Sequence, residues 1–453
     1  MRARSLSEIA GATHGVVVGE DVRVGSISTD SRAAVSGSLF VALEGERTDG
    51  HRFVEEAFDR GAAAALVGTG RGERTPRVEV GSTGDALLAL AADERRAFEG
   101  TVVAITGANG KTSTKDLAAA VLAERFVVHA SPASFNNEVG LPMTLLGADA
   151  DTEVIVAELG ARREGDVALL MGIADPSVVV VTNVGIAHIG VFGSWEAIVR
   201  ASAEPIDALR ADGVAVVNAD DPVVAGFRPR SGARVVTFGR GERSAVRADG
   251  VRVDADGRAS FDLVGGGGRE RVTLAVLGEH MVANALAAAA VGLELGVPVE
   301  ACAAALGRAV VSRWRMETFD GRGGIRVLND AYNANPESVA AAMKTARVMA
   351  GDARVIAVLG RMAELGDIAE QEHERVGELA ARLRIDRVIT VGTEAKTIAV
   401  AGVREGVEPD AVASYDDADG ALADVLAHAR PGDLVLVKGS RVAGLETLAE
   451  ALR

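Results

Sequence analysis

The sequence predicts an α/β protein of three domains: a small N-terminal α/β domain over residues 1–98, a central parallel-sheet domain over 99–313 and a doubly wound, Rossmann-like C-terminal domain over 314–453. Three observations carry this. At 453 residues the chain exceeds what one hydrophobic core usually supports. Short apolar runs recur between stretches of helical pattern, as in parallel strands covered on both faces. The alternation restarts near Arg315, after a Gly-rich, charged segment at 240–271.

In the first domain, residues 38–43 read as a strand, 53–65 as an alanine-rich helix and 65–67 as a second strand. The central domain offers apolar runs at 101–105, 154–157, 178–182 and 214–217, with helical stretches between them. Residues 240–271 read as a twisted antiparallel insertion, with the four glycines 265–268 as a hairpin or loose loop. In the third domain the strands are 325–328, 355–359, 387–391 and 434–437, and helices fill the gaps. About 140 residues is an ordinary size for an independent unit.

The most informative segment is TGANGKTS at 106–113, between the run at 101–105 and a helical stretch at 112–122. Gly107 and Gly110 permit a tight turn that aims backbone N–H groups at an anion. Lys111 adds a point charge and the helix N-terminus its dipole. With Ala108, Asn109, Thr112 and Ser113 the loop reads as a triphosphate cradle, so the central domain is expected to be a P-loop ATPase domain that binds ATP and Mg²⁺. The Thr112 hydroxyl is the expected metal ligand. Ile105 stands where the longer P-loop pattern has its first glycine, and only five lysines occur in the chain, which makes a fortuitous Gly-Lys-Thr less frequent.

Composition excludes several classes. A formal net charge of −16 argues against nucleic acid or anionic membrane as the main partner. No stretch approaches the roughly 18 to 20 apolar residues of a membrane span, and the first residues lack an apolar signal region. The single cysteine, Cys302, excludes an internal disulfide and reads as a buried thiol in a helix. A cytoplasmic monomer is expected.

Polar residues follow the strands at the sheet's carboxyl edge, where ligands gather. Glu158 follows 154–157, and Thr182 to His188 follows the run at 178–181. A carboxylate and an imidazole there are candidate metal ligands, Mg²⁺ preferring oxygen. From the residues alone His188 is either a ligand or a satisfied structural histidine.

With these residues in hand, the chain resembles the Mur ligases of peptidoglycan synthesis over essentially its whole length. The motifs are TDSR at 29–32, LFVAL at 39–43 and TDGH at 48–51; then the 106–116 loop, NNEVGLPMT at 136–144, AELG at 157–160, TNVGIAH at 182–188 and NADD at 218–221. The third domain adds NDAYNANP at 329–336, LGRMAELG at 359–366 and VKGSR at 437–441. The resemblance implies an ATP-dependent ligase that forms a peptide-type bond through an acyl phosphate. The YNANP and VKGSR strings point to the branch that adds D-alanyl-D-alanine to UDP-N-acetylmuramoyl-tripeptide.

It further implies that Lys111 holds the phosphates, Thr112 and Glu158 the first Mg²⁺, and that His188 approaches a second. Asn137 would position substrate. His280 and Asn284 match an adenine-site pattern, with helix capping the competing reading for His280. Arg315 would lie near the phosphates and Asp330 on the ribose, with Asn333 close by; Asn333 and Asn335 equally suit a turn before Pro336. Thr29, Ser31, Arg32, Thr48 and His51 would meet the uridine diphosphate end, and Lys438 and Ser440 the dipeptide or peptide stem.

Two positions depart from the family. The lysine whose carbamate serves the second Mg²⁺ is replaced by Ser202, and no lysine lies between Lys115 and Lys344. On a helix Glu204 lies roughly 200° around from Ser202 and is expected to point elsewhere. Met281 stands where the family has asparagine. Three functions stay open at this point: the D-alanyl-D-alanine ligase with a modified second site, a relative joining a different amine and carboxylate, and a nucleotide-binding scaffold without catalysis.

Overall fold

The computed structural model describes residues 1–45 and 48–453. Three large sheets and one two-stranded antiparallel pair, Arg4–Ser5 with Arg23–Val24, are laid out along the described residues. The central one has nine strands, in the order Gly268–Leu277, Arg258–Gly265, Val246–Val253, Arg234–Gly239, Val214–Asn218, Val178–Val181, Thr101–Thr106, Val154–Glu158, Val128–Ala130. The strands from Val128–Ala130 to Val246–Val253 pair in parallel. Thr101–Thr106 lies between Val154–Glu158 and Val178–Val181, with Glu158 opposite Ile105 and Val181 opposite Thr106. The ends of these three strands therefore open on one edge, which is where the site is built.

The segment expected as an insertion is a continuation of this sheet. Val246 pairs with Phe238, and the inward residues Ala248, Phe261, Leu263, Val272 and Leu274 share a core with the helices Lys111–Leu122 and Met281–Glu294. Burial of that alternating face sets the register. Gly266 and Gly267, both at positive φ, close the hairpin in a two-residue turn.

A five-stranded N-terminal sheet runs Val16–Val18, Arg77–Val80, Ala64–Gly68, Ser38–Val41, Ser26–Ser28. The helix expected over 53–65 is only Val54–Asp59. Gly61 turns the chain at φ 113°, and Ala64 to Val67 are fully buried in a strand, so tertiary burial overrides alanine's helical preference. The C-terminal sheet runs Glu317–Asp320, Arg326–Asn329, Leu434–Lys438, Val355–Gly360, Arg387–Val391, Val412–Tyr415, parallel after the first pair. No described helix is long and apolar enough to cross a membrane.

The cores show how these parts are coupled. One cluster joins Leu39, Val41 and Leu66 of the N-terminal sheet to Ala104 and Ile155 of the central sheet, through helices Thr83–Ala97 and Gly140–Gly147. The two clusters of the C-terminal domain take only Leu277 from the central sheet among their buried members. The first junction is welded by apolar burial. The second is mostly polar, the kind of contact across which domains move.

Candidate active site

The phosphate loop is shaped by its neighbours. Gly107 (φ 132°) and Gly110 (φ 79°) hold conformations that favour glycine. A Cβ at Gly107 would overlap the Thr182 hydroxyl, and one at Gly110 the Asn284 amide oxygen. Asn183 fastens the loop: its carbonyl accepts from Ala108 N at 3.0 Å, its Oδ1 from Asn109 N at 2.8 Å, and its Nδ2 donates to Asn109 O at 3.0 Å. No side chain caps the helix that starts at Lys111, so its first N–H groups remain available to an anion. Lys111 Nζ donates to Gly107 O at 2.6 Å and Ala108 O at 3.2 Å. Burial pushes its pKa down, while Glu158 works in the opposite direction.

Glu158 is 1% exposed. Its Oε1 accepts from Asn136 Nδ2 at 2.8 Å, and its Oε2 is buried without a partner. An unsatisfied buried carboxylate oxygen is costly unless a cation completes it. A hydroxyl at Thr112 and a carboxylate at Glu158 are the hard oxygen donors that Mg²⁺ prefers, so the residues present fit that ion. From the C-terminal domain, Arg315 donates to Thr112 Oγ1 at 3.2 Å and stacks on Tyr332, 4.1 Å from the ring centre; its Nε has no partner.

These groups line one cavity of about 1130 Å³ between the central and C-terminal domains, and Ala108 to Ser113 form its floor. Asn137 and His188 line it too, as do His280 and Asn284. Asn137 Oδ1 accepts from Gly140 N at 2.9 Å. His280 is exposed, and its ring makes no capping bond to the helix Met281–Glu294. Asn284 donates to Met281 Sδ at 3.3 Å. His188 Nδ1 is bonded to Glu364 of the C-terminal domain. Burial pushes the His188 pKa down, and the Glu364 contact opposes it.

Asp330, Asn333, Lys438 and Ser440 also border the cavity. Lys438 Nζ donates to Asp330 Oδ2 at 2.5 Å, Asn333 O at 3.0 Å and Asp330 O at 3.4 Å, and Asp330 Oδ1 accepts from Met316 N at 3.1 Å. Lys438 is a strut that ties the 330–333 loop to its sheet, because a buried ammonium must spend its donors on partners. Asp330 orders the domain entry through Met316. Ser440 Oγ, in contrast, is buried and unpartnered. Asn335 caps the helix Pro336–Ala350 and sends Nδ2 to Asn109 Oδ1 at 2.6 Å.

Residues 105–292 match the Mur ligase middle domain, 314–441 the Mur ligase glutamate ligase domain, and 23–94 the Mur ligase family catalytic domain. The chain belongs to the Mur ligase family. It is 42% identical over 468 aligned positions to the UDP-N-acetylmuramoyl-tripeptide–D-alanyl-D-alanine ligase of Mycobacterium tuberculosis, with 94% of this chain and 92% of that one covered. It resembles the crystal structure of MurF from Acinetobacter baumannii with a TM-score of 0.88 at 31% identity, covering all of both chains. It also resembles MurF ligase from Thermotoga maritima in complex with ADP, with a TM-score of 0.79 at 27% identity over 94% of this chain and 96% of that one.

In this Mur ligase the first-domain residues do not line the cavity. Ser31 Oγ donates to Glu56 at 2.9 Å. Arg32 is 78% exposed and paired with Asp30 at 2.7 Å, which pulls the Asp30 carboxyl down to about 2. Thr29 is half-buried and Thr48 exposed. His51 accepts from Gly68 N at 2.9 Å through Nε2 and bonds Asp49 at 2.7 Å through Nδ1. Glu44, Asp49 and His51 lie close enough to hold a metal, but both ring nitrogens of His51 are engaged and Arg71 pairs with both carboxylates, so this cluster is an ion-pair network.

At the family's carbamate position, Ser202 is not part of the cavity lining. Glu204 accepts from Gly165 N at 2.6 Å and Ala168 N at 2.9 Å, so it caps the helix Asp166–Ala174 and points away, as its helical phase requires. Sequence reasoning assigned no role to Glu364, Tyr332, Asn136 or Asn183. All four lie inside the motif strings, which was the available signal.

Proposed function

We propose that this Mur ligase joins D-alanyl-D-alanine to UDP-N-acetylmuramoyl-tripeptide with cleavage of ATP to ADP and phosphate, a step in peptidoglycan precursor synthesis and cell-wall biogenesis. The observation that carries it is one cavity in which the phosphate loop, the unpartnered Glu158 oxygen and Arg315 of the C-terminal domain meet. It lies in a chain that aligns over nine-tenths of its length with ligases so named.

The tripeptide's carboxylate oxygen attacks the γ-phosphorus, the bond to the bridging oxygen breaks, and ADP leaves. The amine of the dipeptide then attacks the acyl carbon, phosphate departs, and the amine's surplus proton is lost. Bringing two anions together is the obstacle: at about 4 Å, unit charges repel by roughly 1 kcal/mol in water and about 4 kcal/mol at an effective dielectric of 20. Lys111, the N–H groups of the loop and Arg315 supply fixed positive charge to that spot. Mg²⁺ held by Thr112 and Glu158, with His188 facing a second ion, would add neutralisation of the transferring phosphoryl group. Asn137 orients the substrate carboxylate, and His280 with Asn284 borders the base. Closure of the C-terminal domain keeps water from the acyl phosphate.

In this reading residues 1–98 carry the uridine diphosphate end through Thr29, Arg32 and Thr48, residues 99–313 hold ATP, and residues 314–453 bring Arg315 and Ser440. The cavity is complete within one chain, which fits a monomer, and a nucleotide-linked precursor with ATP fits the cytoplasm. The test is phosphate release from ATP with UDP-N-acetylmuramoyl-tripeptide and Mg²⁺, with and without D-alanyl-D-alanine. Dipeptide-dependent release with a pentapeptide product by mass spectrometry supports the assignment; release that ignores the dipeptide overturns it.

A further inference from the structure

The loop after Val178–Val181 and the loop after Val355–Gly360 meet across the polar junction. Three independent contacts fasten them. Gly190 N donates to Glu364 O at 2.9 Å. Gly190 and Gly366 touch backbone to backbone, so that a Cβ at Gly366 would sit 2.7 Å from Gly190 Cα. The Glu364 carboxylate bonds His188 Nδ1, and its other oxygen lies 3.6 Å from Arg162. His188 (φ 62°) and Glu364 (φ 63°) both hold the left-handed conformation that non-glycine residues rarely adopt. Such geometry persists where surrounding structure over-determines it.

A carboxylate can only accept at Nδ1, so a neutral imidazole in this contact carries its proton there and keeps its lone pair on Nε2. No described residue is hydrogen-bonded to Nε2, and His188 lines the cavity. Carboxylate support of this kind orients ligand histidines and raises their basicity. Here the carboxylate belongs to a different domain from the imidazole.

We propose that Glu364 is a positioning residue that arrives with the C-terminal domain and fixes His188 as the Nδ1–H tautomer, so that the imidazole becomes ligand-competent only in the closed enzyme. This rests on the ligase reading above for its purpose, but its geometry stands apart from it.

The test is ¹⁵N-histidine NMR of the full chain, free and with ADP but no added metal, with His188→Ala to assign the signal among seven histidines. In the wild type the ADP-bound protein is expected to show His188 protonated on Nδ1. Glu364→Ala should move the proton to Nε2 or mix the tautomers, and should lower kcat by about 10- to 100-fold with ADP affinity within about twofold. Gly190→Ala keeps Glu364 but obstructs its approach, and should produce the same tautomer change; Glu364→Asp should restore part of kcat. An Nε2–H tautomer in the wild type, or a His188 signal unchanged in both variants, overturns the proposal. If the wild type lacks ligase turnover, the ligase reading fails while the NMR result still decides this one.

Discussion

Arg315 reaches across the domain junction to the Thr112 hydroxyl at 3.2 Å while its guanidinium carbon lies over the ring of Tyr332. The Tyr332 hydroxyl bonds Ser134 of the central domain, so ring and cation are both held at the phosphate loop. The unpartnered Nε leaves the arginine in want of an anion.

Arg315→Lys is therefore not a conservative change, since a lysine loses both the planar stack and the fork of donors. At about 1.5 to 3 kcal/mol for a hydrogen bond to a charged group, kcat/KM for ATP should fall by roughly 10- to 100-fold. Initial rates against ATP concentration measure it, and an unaffected lysine variant would remove Arg315 from the nucleotide site.

Glu158→Gln keeps the size of the side chain and its Asn136 bond but removes the charge. Turnover is expected to fall at least about 100-fold and the Mg²⁺ requirement to rise, because the hard oxygen donor is lost. Thermal stability should hold or improve, since a buried carboxylate without a cation is a strained ground state. Calorimetry beside Mg²⁺ titrations separates the two; a marked loss of stability would make Glu158 structural.

Arg387 grips Asp424 through two bonds of 2.6 and 2.7 Å, and the Tyr415 hydroxyl adds a third at 2.7 Å. Burial pushes the Asp424 pKa up, but these partners outweigh it and the net direction is down. A carboxyl depressed in the folded state contributes stability above its unfolded pKa, and that contribution fades as pH falls through the folded value. Asp424→Asn should cost about 3 to 5 kcal/mol at pH 7, with the difference from wild type shrinking below about pH 4. Urea unfolding across that range checks the sign; a gap independent of pH would refute it.

Burial pushes the Cys302 thiol up to about 12, and the residue is fully covered. Burial thus keeps the thiol protonated at neutral pH, and thiolate is the reactive form. A disulfide reagent should find no reactive thiol in the native protein and one after denaturation.

The sequence made the carboxyl edge of the central sheet readable, because runs such as 178–181 are continuous β-branched residues and Glu158 and Thr182 follow them directly. It could not show that Glu364 meets His188 or that Lys438 anchors Asp330. The first pairing is made by domain docking across 176 positions, and the second by two adjacent parallel strands, Arg326–Asn329 and Leu434–Lys438, whose residues lie far apart in the chain. The overlong helix at 53–65 failed for a local reason: five alanines favour helix, but Gly61 breaks it and the next strand claims Ala64.

The scarcity of lysine has a practical consequence. Lys115 is 2% exposed and donates to Ser131 and Ala133 carbonyls, Lys438 is equally enclosed, and Lys344 and Lys396 lie on the outer surface. Lys111 lies in the phosphate loop, and burial makes its amine lose its proton more readily than a surface lysine does. An amine-selective acylating reagent would thus mark the surface residues Lys344 and Lys396 under all conditions, and Lys111 more strongly in the empty enzyme than with nucleotide present, turning peptide mass mapping into an occupancy gauge.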